Sequence, residues 1–551
     1  MALRRSLVIG GAAILWASAL AVRGGAAAQI VGGQQPAAVA AVSFESSDQC
    51  LACHNGLTTA SGEDVSIGIA WRASMMANSS RDPYWHAAVR RETIDHPTRK
   101  AAIEDECAIC HMPMARTMAH AAGREGEVFA LLPALAGTST EHRLAADGVS
   151  CTLCHQIGPQ RLGTRESFVG GFTIAAPEGG SPVIAGPFDV DAGRTALMHS
   201  ATGAKPVKAD HLKQSELCAT CHTLYTQAFG PKGEVTGELP EQVPYQEWLH
   251  SAFAKERSCQ SCHMPPVENT PIASVLGESR DRRLDRHTFL GGNFFMLRML
   301  NRFRADLAVV APSHELNAAA EATLRQLRED TASVDIARTA LVGGRLEADI
   351  VVRNLTGHKL PTGYPSRRVW LHVTVRDTGG RTLFESGAVE PDGQIGGNDN
   401  DADPSRFEPH YQEVRTPDQV QIYEAIMARP DGAVTTGLLQ ATQYVKDNRL
   451  LPRGFGKESA GPDIAVHGEA AADADFIGEG DRVRFSVPAA GGPGPFTIDV
   501  VLRYQPIGFR WAANLRGYDA PEPRRFVAYY EAMADSSSAV LDRATASTPT
   551  E

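Results

Sequence analysis

Cysteine is missing from this chain except at five places, and that restriction narrows its chemistry most. All ten cysteines of the 551 residues fall in five-residue stretches: CLACH (Cys50–His54), CAICH (Cys107–His111), CTLCH (Cys151–His155), CATCH (Cys218–His222) and CQSCH (Cys259–His263). No cysteine is left over for a disulfide framework or a lipid anchor elsewhere. Long apolar runs are also lacking after the first two dozen residues, which excludes a membrane-spanning helix from the rest of the chain. Nor is there a basic excess: 53 Lys and Arg against 64 Asp and Glu leave a net charge of -11. Nucleic acid is therefore not an expected partner.

What is present is one motif repeated. C-x-x-C-H is the attachment sequence of c-type haem, in which both thiols add to the macrocycle and the following histidine becomes the proximal iron ligand. Zinc sites and redox dithiols also use C-x-x-C, but neither needs a histidine after the second cysteine every time. The covalent positions are thus Cys50, Cys53, Cys107, Cys110, Cys151, Cys154, Cys218, Cys221, Cys259 and Cys262, and the proximal ligands His54, His111, His155, His222 and His263. Five haems would add up to roughly ten propionate charges to an already acidic chain, which points to basic redox proteins as partners.

Residues 1–28 read as an export signal: Arg4 and Arg5, an apolar run to Val22, then the small-residue end GGAAA. The chain that follows is expected to be exported, periplasmic or extracellular, without a membrane span. Residues 29–313 form the haem region, mainly short helices and loops with little regular structure, such as GRTALMHS and VPYQEWLHSAFAKE. A segment so dense in haem buries little side-chain surface of its own, so the macrocycles are expected to be its core.

The group opposite each proximal histidine decides between a closed iron and an open one. The candidate distal ligands are His86 beside aromatic residues, His142 before the third motif, His199 or His211, His250 in EWLHSAF, and His287, whose neighbours Gly291 and Gly292 would let backbone approach a flat ring. Met75, Met76 and Met118 are possible replacements, with packing as their ordinary role.

Residues 314–333 read as a connecting helix, with Asn293 and Ser313 as candidate caps of this helical stretch. From residue 334 to 544 the pattern turns to period-two alternation in SVDIARTAL, RLEADIVVRN, RRVWLHVTVRD, DRVRFSV and FTIDVVLRYQ, the signature of an antiparallel β-sandwich, immunoglobulin-like in outline, with a closing helix. Residues 545–551 read as a tail. In this module His358 sits on a Gly-marked loop from which it could reach a haem, His410 is a weaker candidate, and His372 reads as structural. Oxygen-rich side chains from Asn398 to Asp403 could hold calcium, though the spacing matches no EF-hand and a solvated acidic loop is the ordinary reading.

The five motifs, with HTFLGGNFFMLRML from His287, GHKLPTGYPSRRVWLHV from Gly357 and KDNRLLPRGF from Lys446, resemble the exported multihaem (pentahaem) c-type cytochromes of bacteria. The haem region is similar to the tetrahaem cytochromes of nitrifiers. The resemblance implies haem attachment outside the cytoplasm, mostly bis-histidine low-spin iron, and electron transfer, with other multihaem cytochromes as partners. Carried over by position, it favours His287 and His358 as distal ligands. A reductase or oxidase of a small nitrogen or sulfur compound is the alternative; pentahaem nitrite reductases mark their active haem with a lysine, whereas here all five motifs end in histidine.

Overall fold

The computed structural model describes residues 42–134, 137–275, 283–489 and 494–548. The expected export signal, residues 1–28, and residues 549–551 of the expected tail lie outside the described residues. Residues 42–551 form one compact unit.

The first part is helical and irregular. Helix α1 (Pro83–Asp95) starts with proline at its first turn, and the Asp82 carboxylate accepts the backbone N–H groups of Tyr84 and Trp85. A 3-10 turn, Pro97–Arg99, leads into α2 (Lys100–His111), which carries the whole second motif. Further on come the hairpin β1 (Leu224–Phe229) and β2 (Val235–Gln242), then α3 (Pro244–Leu249). Helix α4 (Phe294–Arg302) turns Phe294, Phe295, Met296, Met299 and Leu300 into the core. Asn293 precedes it without a side-chain capping bond, and Ser313 is the first residue of α5 (Ser313–Glu329), not its cap.

The second part is built on two sheets. Strands β3 (Ala332–Val342), β4 (Arg345–Asn354), β5 (Arg368–Arg376), β6 (Thr382–Ser386), β7 (Glu413–Val414), β8 (Ile422–Tyr423), β9 (Ala425–Ala428), β10 (Gln443–Asp447), β11 (Asp481–Pro488), β12 (Thr497–Gln505) and β13 (Ala539–Ser547) follow in chain order. One sheet has the order β6-β5-β12-β13, with β8 also on β5; the other is β7-β11-β4-β3. Pairing within both is antiparallel except for β7, which lies parallel to β11. Alternation explains the faces: Ile498, Val500 and Leu502 of β12 and Val483, Phe485 and Val487 of β11 point into one core. Phe384 of β6 meets Phe485 edge-on at 6.3 Å between ring centres, which ties the two sheets together. Strand β5 is covered on both sides, because Trp370 packs outward against Ile395, Val420 and Ile422.

Two expectations at the C-terminus need correction. The closing helix is shorter than read: α6 (Pro521–Glu531) ends before the serine run, and AVLDRATAS returns as β13. That strand continues past Ala544 to Ser547, because pairing with β12 and the bond from Thr548 N–H to the Phe496 carbonyl (2.9 Å) hold it. Among the described residues no helix is long and apolar enough to cross a membrane.

Candidate haem-binding site

The region that carries the motifs encloses a cavity of about 1670 Å³. That exceeds the roughly 300–1,000 Å³ that takes one drug-sized ligand. Every motif cysteine except Cys53, and all five motif histidines, line it. None of the cysteines is in a disulfide. Thiol contacts give the motifs an order in space. Cys50 lies beside Cys151, Cys110 approaches the Cys221 carbonyl at 3.9 Å, Cys218 lies beside Cys259, and Cys154 lies near both Cys218 and Cys221. The first motif thus adjoins the third, the third the fourth, and the fourth both the fifth and the second.

Four of the five motif histidines are oriented by backbone. Nδ1 of His54 donates to the carbonyl of Ile272 (2.6 Å), that of His111 to Ser79 (2.8 Å), that of His155 to Ala185 (2.6 Å), and that of His263 to Leu290. With Nδ1 holding the proton, Nε2 keeps its lone pair for a metal. Burial pushes His111 and His222 down to about 4 and lowers His155, so these rings stay neutral, the ligating form.

Two further histidines share the cavity wall, His287 and His358. The ring of His287 is 6.3 Å from that of His155 at an interplanar angle of 13°, and the ring of His358 is 6.2 Å from that of His263 at 19°. Two metal–imidazole bonds of about 2 Å on opposite sides of one ion, plus roughly 1 Å from each nitrogen to its ring centre, put the centres about 6 Å apart. Both spacings fit an iron between the rings. Each distal ring also donates through Nδ1, His287 to the Asp285 carbonyl and His358 to the Lys359 carbonyl, both at 3.0 Å. Burial lowers His287 to about 3 and His358 to about 4.

The two supporting loops are interlocked. Three residues beyond His287, Leu290 gives its carbonyl to His263 and its N–H to the carbonyl of the same residue. Of the glycine pair, Gly292 is required because a Cβ there would stand 2.3 Å from Tyr504 Oη, whereas Gly291 meets no atom within 4 Å. His358 is held by a buried charge network. Lys359 Nζ reaches Asp447 (2.7 Å), Arg449 bridges Asp447 (2.7 Å) and Glu247 (2.8 Å), and Glu247 accepts the Lys359 N–H and the Thr362 hydroxyl. Arg449 and Lys359 beside Asp447 hold its carboxyl well below the usual carboxylate range. The stretches GHKLPTGYPSRR and KDNRLLPRGF therefore form one device that fixes the His358 loop over α3.

The remaining distal candidates lie outside the cavity wall. His86 stands beside His111: its Nε2 donates to the Ser80 carbonyl (2.8 Å), next to the carbonyl that holds His111, and its Nδ1 accepts from Arg525 (2.9 Å). Both nitrogens are spent. His142 packs its ring against Gly137. Nε2 of His199 bonds Ser181 (3.0 Å), that of His211 donates to the Ile157 carbonyl (2.8 Å), and that of His250 to the Gly456 carbonyl (2.9 Å). Among the described residues, His54, His111 and His222 have no such histidine facing them across the cavity, although Met75 and Met76 are on its wall.

The calcium expectation fails for the same kind of reason. Asp401 is held by Arg368 through two 2.8 Å bonds, Asp399 pairs with Arg406, Asp403 takes the Ser405 N–H, and Asn398 caps Asn400. These oxygens are committed to arginine and backbone donors. His410 is no ligand either: its Nε2 donates to Asp473 (3.0 Å) while Nδ1 accepts amide N–H from Gln421 and Asn448. Those amides cannot turn, since their oxygens accept the backbone N–H of Tyr411 and Glu424. His372 makes a cross-strand pair with Glu385 (2.8 Å).

No family model matches the chain, and no curated protein does. Among solved structures, the chain is similar to the penta-heme cytochrome c552 from Thermochromatium tepidum, with a TM-score of 0.51 and 17% identity over 91% of this chain and 98% of that one. At that identity the likeness is one of fold: the chain folds like that penta-heme cytochrome c552.

Proposed function

We propose that this protein is an exported electron-transfer protein that holds five haem c groups through its cysteine pairs and passes electrons between redox proteins. Bound haem supplies a one-electron iron(III)/iron(II) couple. The chain supplies the rest. In this reading His155 and His287 would hold one iron, and His263 and His358 another. Their Nδ1 bonds hold each imidazole in the neutral, ligating tautomer, and contacts between motifs keep the groups adjacent. The observation that carries the reading is the near-parallel histidine pairs with centres 6.2–6.3 Å apart on the wall of the motif-lined cavity.

The test is spectroscopic. The matured protein should have the mass of the polypeptide plus five haems and a Soret band. His287→Ala and His358→Ala should each convert one low-spin haem into a high-spin one in the electron-spin spectrum. A colourless protein of bare polypeptide mass would sink the proposal, and unchanged low-spin spectra in both variants would remove the two pairs. One observation supports a second reading, a reductase or oxidase of a small nitrogen or sulfur compound: among the described residues, His54, His111 and His222 have no histidine across from them on the cavity wall. A native high-spin haem that shifts on adding nitrite, hydroxylamine or cyanide would decide for it.

A further inference from the structure

Next to the second motif the cavity wall is acidic. On α1, Trp85, Ala88, Val89 and Glu92 face the cavity at three- and four-residue spacing, so Glu92 ends an otherwise apolar stripe. Glu241, near the end of β2, and Glu106, which directly precedes Cys107, face the same space. The Glu92 side chain is 6% exposed; Oε1 accepts the Leu438 N–H (2.9 Å), whereas Oε2 is buried with no hydrogen-bond partner. Glu241 is equally buried, and its one partner is the Thr226 hydroxyl at 2.5 Å. A buried carboxylate without donors is costly, and two that feel each other cannot both ionise freely.

We propose that Glu92 and Glu241 form a proton-loading pair for the haem held at Cys107 and Cys110, taking up a proton when that haem is reduced. The inference rests on the haem attachment proposed above. One electron arrives from an external one-electron donor protein and iron(III) becomes iron(II). One proton leaves water and forms an O–H bond on the pair, turning a carboxylate into a carboxylic acid. On reoxidation both leave. The pair is poised for this: burial, with Asp95 adding repulsion, pushes Glu92 up to about 7, and burial, with repulsion from Glu106 and then Glu92, pushes Glu241 up to about 7. The groups around it do not neutralise it. Arg91 attracts Glu92 but is shared with Asp95 (3.6 Å), Thr436 and Tyr518; His96 Nε2 stands 3.9 Å from Glu92 Oε2, and burial lowers its pKa. Glu106 adds repulsion to Glu241, and the neighbouring phenols of Tyr84, Tyr364 and Tyr444 are pushed up by burial and stay uncharged.

The experiment is an optical redox titration of the matured protein from pH 5.5 to 8.5, for the native chain and for Glu92→Gln with Glu241→Gln. At least one native potential should fall as pH rises, approaching the shift of about 59 mV that a tenfold change in proton activity gives a one-electron couple. The double variant should keep five haems and lose that slope. If it keeps both the haems and the slope, the inference is overturned; absence of haem from the native protein would instead overturn the attachment reading. Should the variant not fold, the infrared difference spectrum of the native protein, reduced minus oxidised, gives the answer: a protonated-carboxyl band gained on reduction supports the pair, and its absence overturns it.

Discussion

The two parts of the molecule solve the same problem by opposite means. Residues 332–548 fill their interior with side chains: Phe384 meets Phe485 between the sheets, and Val373 stands opposite Val500 within one. Residues 42–312, closed by the His358 loop and a few other residues of the second part, surround a cavity bordered by nearly all the motif cysteines and by charged and phenolic groups, with a smaller side-chain cluster around Trp85, Val89, Ile103 and Leu153. The difference teaches that a chain can leave its interior open where its motifs converge; on the proposed reading a prosthetic group completes that core. The first part holds its shape around the cavity by pinning backbone carbonyls to histidine rings.

The strongest way to break that comparison is to withhold haem. A chain produced without haem attachment should lose hydrogen-exchange protection across residues 42–312 and keep it in β4, β5, β11 and β12; equal loss in both parts would show that the sheets have no stability of their own. Next in size is Asp447→Ala, which leaves Lys359 and Arg449 buried without their carboxylate. Breaking such a pair costs about 3–5 kcal/mol, read from denaturant unfolding, and the loosened His358 loop should add high-spin signal. Because the folded carboxyl of Asp447 lies below its unfolded value, its contribution is present above about pH 4 and is lost as pH falls toward the folded value. Native stability should therefore fall on acidification more steeply than that of the variant. Phe485→Ala should cost a comparable 3–5 kcal/mol with the haem spectrum unchanged, which sharpens the division between the parts; a spectral change would blur it. The smallest effect concerns the loop around Asn398. A calcium chelator should leave the melting temperature unmoved, and a drop would restore a metal to that loop.

Much of the sheet region was legible. SVDIARTAL, RLEADIVVRN and FTIDVVLRYQ alternate, and each is a strand, because one buried face imposes period two. AVLDRATAS was missed as a strand because it follows a helical pattern without a strong breaker, and only pairing with β12 extends it to Ser547. Among the candidate ligands, His287 and His358 came from family-like stretches, while His86, His142, His199, His211 and His250 were chosen on local context. Where the fold takes their rings was not legible, because a ring nitrogen bonds whatever carbonyl or guanidinium comes near, and Ser80, Arg525, Ile157 and Gly456 are not predictable from the local sequence of His86, His211 and His250. Glu92 and Glu241 left no signal either: 149 positions separate them, and neither belongs to a motif.

The sequence by itself determined the five motifs and the spacing of two thiols and a histidine within each, because that spacing is local to a few residues. Tertiary structure decided which motifs adjoin, which histidines face one another and where carboxyls are buried together. Those are meetings between residues dozens of positions apart or more, and only the packing of loops against helices and strands brings them together.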